Sequence, residues 1–89
     1  MYKIELSATA YKFLGKSKIP FKILNLIKQK ILSLQDEPRP PGCEKLKSSM
    51  SNYYRIRQGD FRVVYEINDK EKAVFIIYIG HRKEIYRNF

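Results

Sequence analysis

A single cysteine, Cys43, and a single histidine, His81, leave this 89-residue chain poor in the side chains that disulfide and metal chemistry need. One thiol makes no intramolecular disulfide, and with no second thiol beside it there is no zinc pair. A reducing cytoplasm suits such a chain. Cys43 lies in a Pro/Gly stretch far in sequence from His81, unlike a thiol nucleophile with its base. Carboxylates are also scarce, 9 acidic side chains against 18 basic, and they are nowhere clustered. No metal site and no cofactor are therefore expected. The longest apolar run, Ala73 to Ile79, is far short of a membrane-spanning helix, and the first residues lack signal-peptide architecture, so no membrane partner is expected either. Internal repeats and low-complexity segments are absent.

What is present fits one small domain over residues 1–89, long enough to bury about two-thirds of its unfolded surface. A hydrophobic content of 44% and aromatics at 13% are those of a packed core rather than a disordered chain. The formal net charge of +9 speaks to partners more than to fold: nucleic acid, an acidic protein or an anionic surface.

Tyr2 to Leu6 alternates as a strand does, and Ser7 is placed to cap a short helix with Ala10, Phe13 and Leu14 on its apolar stripe. The stretch from Gly15 to Ile19 breaks that helix. Pro20 then sits in the first turn of a second, where its missing N–H costs nothing. Ile23, Leu24, Ile27, Ile31 and Leu34 share one side of that helix, with Lys22, Asn25, Gln29 and Leu32 opposite. Asp36 to Gly42, rich in proline, ends it. Lys45-Leu46-Lys47 leads into a sheet with Leu46 as anchor. Tyr53 to Gln58 and Phe61 to Ile67 form a hairpin, Asn68 to Glu71 a turn, and Ala73 to Ile79 a strand apolar on both faces and hence internal. The order β-α-α-β-β-β predicts an α+β domain: a mostly antiparallel sheet with a helical hairpin packed on one face.

The hairpin carries the chemistry. Gly59 can take the positive φ that a II′ turn requires at its first central position. With Gly59 and Asp60 as the central pair, Ile56 faces Val63, Tyr54 faces Tyr65, and Arg57 faces Arg62. The helices then cover the face bearing Tyr54, Ile56, Val63 and Tyr65, leaving Arg55, Arg57 and Arg62 on an open face. Like charges directly opposite destabilise a sheet by a few tenths up to ~1 kcal/mol. A solvated basic face tolerates that cost, and so does a site awaiting a polyanion. The tail GHRKEIY adds Arg82 and Tyr86, four residues apart and on one side of either a helical turn or a strand, with His81 as the group that titrates near neutrality. Arginines grip phosphate oxygens and stabilise added negative charge. Tyrosine stacks on a base or moves a proton. Together these residues suit metal-free RNA cleavage by attack of a 2′-hydroxyl on the adjacent phosphate. Read singly, the arginines are a solubilising face, Tyr86 a packing residue, His81 a strand-end cap, and Lys45 and Lys47 surface charges able to hold phosphates.

The run YRIRQGDFRVVYEI followed by IGHRKEIY resembles the RelE toxins of the RelE/ParE toxin–antitoxin superfamily. The resemblance extends over essentially the whole chain, including the approach from Pro40 to Leu46. It implies a RelE-like fold and a ribosome-dependent mRNA endonuclease that enters the A site, cuts the codon and leaves a 2′,3′-cyclic phosphate. It also implies an acidic RelB-like antitoxin that wraps the toxin in a hetero-oligomer. Residue by residue, Arg55 and Arg57 match two basic positions on the second strand, Arg62 the arginine on the third, Arg82 the arginine after the fourth, and Tyr86 the terminal tyrosine. Lys47 falls near a basic position at the mRNA-facing edge. Some RelE enzymes have lysines where Arg55 and Arg57 stand; arginine stays protonated, so these two supply charge alone. Proton transfer is then expected of Tyr86 as base and His81 as acid. Two other readings predict different behaviour: a ParE-like toxin that inhibits DNA gyrase by binding, and an RNA-binding domain without chemistry.

Overall fold

The computed structural model describes residues 1–15, 18–46 and 52–83. Strand β1 (Lys3–Leu6) leads into helix α1 (Ala8–Leu14), and α2 (Phe21–Ser33) follows. Four strands complete the described chain: β2 (Glu44–Lys45), β3 (Tyr53–Gln58), β4 (Phe61–Asn68) and β5 (Ala73–His81). They form one five-stranded sheet in the order β1-β5-β4-β3-β2. Only β1 and β5 run parallel, and the connection between them contains both helices and strands β2 to β4. This is the α+β architecture expected from the element order, with β2 as an additional short edge strand. No helix among the described residues is long and apolar enough to cross a membrane.

Local chemistry explains the elements. The Ser7 hydroxyl accepts from the Ala10 N–H at 3.0 Å, capping α1, and donates to the Ile77 carbonyl at 2.6 Å, tying that helix start to β5. Pro20 is the N-cap of α2. Leu24, Ile27, Ile31 and Leu34 are buried as the helical spacing requires, but Ile23 is not: it lies at the edge of the apolar stripe and is 37% exposed. The Pro-rich connection after α2 is tied to the sheet. Tyr65, buried on β4, donates its hydroxyl to the Pro38 carbonyl at 2.7 Å, and burial pushes its ionisation well above the ordinary tyrosine value.

The core lies between the helices and one face of the sheet. Ala10, Phe13, Leu24 and Ile27 meet Tyr54, Ile56, Val63, Tyr65, Ile76 and Ile79, and no described buried side-chain polar atom lacks a partner. At ~25 cal/mol per Å² of apolar surface this burial is the dominant stabilising term.

One irregularity matters for the site. Val64 faces Tyr78 and Tyr65 faces Ile76, so Ile77 faces no residue of β4. This β-bulge switches the alternation of β5 halfway along its length. Val74 and Ile76 before it, and Ile79 and His81 after it, all turn toward the helices.

Candidate functional site

The hairpin pairs as its turn chemistry predicts. Ile56 faces Val63, Tyr54 faces Tyr65 and Arg57 faces Arg62, with φ at +59° for Gly59 and no positive φ at Asp60, the combination of a II′ turn. The face away from the helices therefore carries Arg55, Arg57 and Arg62. Val64 sits among them almost fully buried, though it lies outside the helix-side core. Arg55 flanks it across β3 and Tyr78 across β5. The Tyr78 ring lies across Gly80: a Cβ there would stand 2.7 Å from Tyr78 Cε1. Gly80 in turn faces Arg62. Only glycine lets the ring approach the arginine row so closely.

β2 pairs with β3 only as far as Arg55, which leaves the turn-ward end of β3 unpaired on the side away from β4. Here a cavity of about 370 Å³ opens, lined by Arg55, Ile56, Arg57 and Arg62. Its other wall comes from Lys30 of α2 and from Pro41, Gly42 and Glu44. Four cationic side chains thus surround one carboxylate. Glu44 stands beside Arg55 across the β2–β3 pair, and Arg55 Nη2 donates to its Oε2 at 2.5 Å. Arg62 Nη1 donates to the Gly59 and Phe61 carbonyls, both at 3.1 Å, so its guanidinium is held at the turn. A guanidinium cluster of this kind suits phosphate oxygens. Among the described residues no three His, Cys, Asp or Glu side chains come together as a metal site would require.

The other expected site residues are placed differently. Arg82 adopts helical backbone just beyond β5 and joins the hairpin turn: its N–H donates to the Asp60 carbonyl at 2.8 Å, and its Nε lies 3.8 Å from Asp60 Oδ1. It stands at the hairpin turn, at the end of the sheet that carries Arg57 and Arg62, and does not line the cavity. His81 does not join the arginines. It faces Phe61 on the helix side, ring centroids 5.6 Å apart at 82°, and its Nδ1 accepts from the Lys83 N–H at 3.1 Å. The bulge is the reason, since it sets which residues of β5 share a face. Lys45 also falls on the helix-side register, opposite Tyr54, and lines no part of the cavity. Tyr86 and Lys47 lie outside the described residues.

Two members of the arginine face escaped the reading of the sequence. Tyr78 is hidden in a run apolar on both faces, and only the bulge decides its side. Glu44 shows no local pattern of its own; its two-residue strand becomes legible once β3 is in place beside it.

A family model described as the ParE toxin of the type II toxin–antitoxin system, parDE, matches residues 4–86. The chain is 30% identical over 87 residues to Toxin RelG of Mycobacterium tuberculosis, an alignment covering 97% of each protein. It is 32% identical over 87 residues to Toxin RelE of the same organism, covering 97% of this chain and 87% of that one. In three dimensions it is similar to the archaeal RelE–RelB complex from Pyrococcus horikoshii OT3, with a TM-score of 0.79, 27% identity, and 91% of this chain and 94% of that chain covered. A match over nearly the full length, on a fold that leaves Arg55, Arg57 and Arg62 on a sheet face the helices do not cover, makes this chain a RelE-type toxin of the RelE/ParE superfamily, a type II toxin–antitoxin toxin.

Proposed function

We propose that this toxin is a ribosome-dependent endoribonuclease that cuts mRNA in the ribosomal A site and so stops translation in the cytoplasm. The observation that carries the reading is the single cavity lined by Arg55, Arg57 and Arg62 together with Glu44. The arginines hold the scissile phosphate and stabilise the charge that builds on it as the bond order changes. The 2′-oxygen attacks phosphorus, its proton passing to a base. The bond to the 5′-oxygen breaks, and that oxygen takes up a proton, leaving a 2′,3′-cyclic phosphate and a 5′-hydroxyl. Arginine does not serve as the base. With His81 turned to the other face, Glu44 is the titratable acceptor lining the cavity, and we assign it the 2′-proton. Tyr86 then serves to stack on the substrate base or to protonate the leaving oxygen, with Arg82 adding positive charge from the hairpin turn. Primer extension on translating ribosomes tests this: cuts at fixed codon positions are expected with the wild-type toxin, and none above background with Arg62→Ala or Glu44→Gln. Intact message with the wild-type chain would refute it.

The family model that matches favours a second reading, a ParE-like toxin that inhibits DNA gyrase without cutting RNA. It predicts inhibited supercoiling and uncut message, which the same preparation settles in parallel.

The partner is an acidic, RelB-like antitoxin forming a hetero-oligomer with this chain. Two features support it. The helices carry Lys12, Lys22, Lys28 and Lys30 with no acidic residue, and an apolar groove of about 470 Å³, containing Ile4, Leu6, Leu14, Ile31 and Leu32, runs beside the edge strand with Lys3 and Lys28 at its rim. An acidic amphipathic segment matches both the charge and the apolar floor. Expression of the chain alone arrests growth, and co-expression with such an antitoxin relieves the arrest.

A further inference from the structure

The loop between α2 and β2 begins beside Tyr54, whose side chain is on the helix-covered face, and ends at Glu44, which pairs with Arg55 of the open face. Arg39, near its start, lies on the helix-covered side. Its Nε donates to the Tyr54 hydroxyl at 3.0 Å, and its guanidinium carbon is 5.2 Å from the centre of the Tyr54 ring. The same guanidinium donates twice to Asp69 in the β4–β5 turn, at 3.2 and 2.8 Å, and Asp69 also accepts from the Tyr2 hydroxyl at 2.7 Å. The other end of the loop, Pro41, Gly42 and Glu44, is the wall of the arginine cavity. The span between is short and stiff. It contains Pro40 and Pro41, a Cys43 N–H to Pro40 carbonyl bond at 3.1 Å, and Gly42 at φ +89°. A chain this constrained transmits the placement of one end to the other.

An ion pair as exposed as Arg39–Asp69, with side chains 40% and 49% accessible, adds little to stability. What a bidentate pair stacked on an aromatic ring does supply is direction. Resting on the site proposed above, we infer that Arg39 is a positioning residue: its clasp on Asp69 and Tyr54 on one side of the sheet sets the cavity wall that presents Glu44 to the substrate on the other. The carboxylate must lie within hydrogen-bond reach of the 2′-hydroxyl, and a displacement near 1 Å costs roughly ten- to a hundredfold in rate.

The test compares wild-type toxin with Arg39→Gln, Asp69→Asn and Arg39→Lys on ribosomes carrying a defined mRNA, following cleavage as a function of ribosome concentration. Arg39→Gln and Asp69→Asn are expected to lower kcat about tenfold or more with KM little changed, and Arg39→Lys, which keeps the charge, to recover part of the loss. In ¹H–¹⁵N spectra of the free variants the Gly42 and Glu44 amide signals shift while far-ultraviolet circular dichroism stays that of the wild type. Folded variants with wild-type kcat and unmoved Gly42 and Glu44 signals overturn the proposal, as does activity lost only in proportion to unfolded protein. Should Arg39→Gln not fold, Tyr54→Phe, which deletes one hydrogen bond of the clasp, carries the same amide test. Wild-type toxin that leaves the message intact sinks the nuclease reading alone, and the amide shifts then decide the clasp.

Discussion

The two faces of this sheet are made from the same strands, residue alternating with residue, and they are built on opposite principles. On the helix side every large side chain has an apolar neighbour and the tyrosine hydroxyls find acceptors or donors, Tyr65 at Pro38 and Tyr54 at Arg39. On the other side Arg57 stands directly across from Arg62, and the cavity beside them gathers four cations around one carboxylate. The first arrangement lowers the free energy of the folded chain. The second sets like charges face to face, an arrangement expected to raise it slightly. Stability and function should therefore separate by face, and substitutions can break that separation.

The sharpest contrast comes from Ile76→Ala against Arg62→Ala. Ile76 is fully buried, and its truncation is expected to cost about 2–5 kcal/mol of stability by urea denaturation. Arg62→Ala relieves the repulsion from Arg57 but loses two bonds to the turn carbonyls, so the denaturation midpoint is expected to change little while the proposed cleavage falls by about 10²–10³-fold. An unstable Arg62→Ala with residual activity near the wild type would erase the distinction.

Gly80→Ala tests a position where the faces meet. The added methyl collides with Tyr78, so the ring must leave the arginine row. A loss of ~1–3 kcal/mol is expected together with weaker cleavage. Normal activity in a destabilised variant would show Tyr78 to be packing alone.

Arg57→Ser removes one of the facing like charges. Stability should rise by a few tenths up to ~1 kcal/mol while cleavage declines, a stability–activity exchange read by paired melting and cleavage assays. A destabilised Arg57→Ser would mean that its aliphatic stem matters more than its charge.

The smallest effect concerns acid. The Arg39 guanidinium and then the Tyr2 hydroxyl lower Asp69 from its ordinary 3.8 to about 2. A carboxylate depressed in the folded state contributes stability above its unfolded pKa and loses it as pH falls through the folded one. Asp69→Asn should thus lower the melting temperature slightly near neutrality, where the carboxylate contributes in full, and flatten its pH dependence between about 4 and 2. An unchanged slope would show that the pair does not persist in solution.

Much of this was determined by the sequence alone, because it depends on neighbours close along the chain. The period of α2 sets its buried stripe, Ser7 caps α1, and Gly59–Asp60 dictates a turn whose geometry pairs Arg57 with Arg62 and puts both opposite the core. Only the tertiary structure decided the rest. The bulge at Ile77, stitched to the Ser7 hydroxyl, chooses the side on which Tyr78 and His81 emerge, and it sends the histidine away from the arginines. Glu44 enters the cavity, and Arg39 reaches Asp69, through contacts between residues distant in sequence. No local periodicity encodes such contacts; they exist once the strands lie side by side.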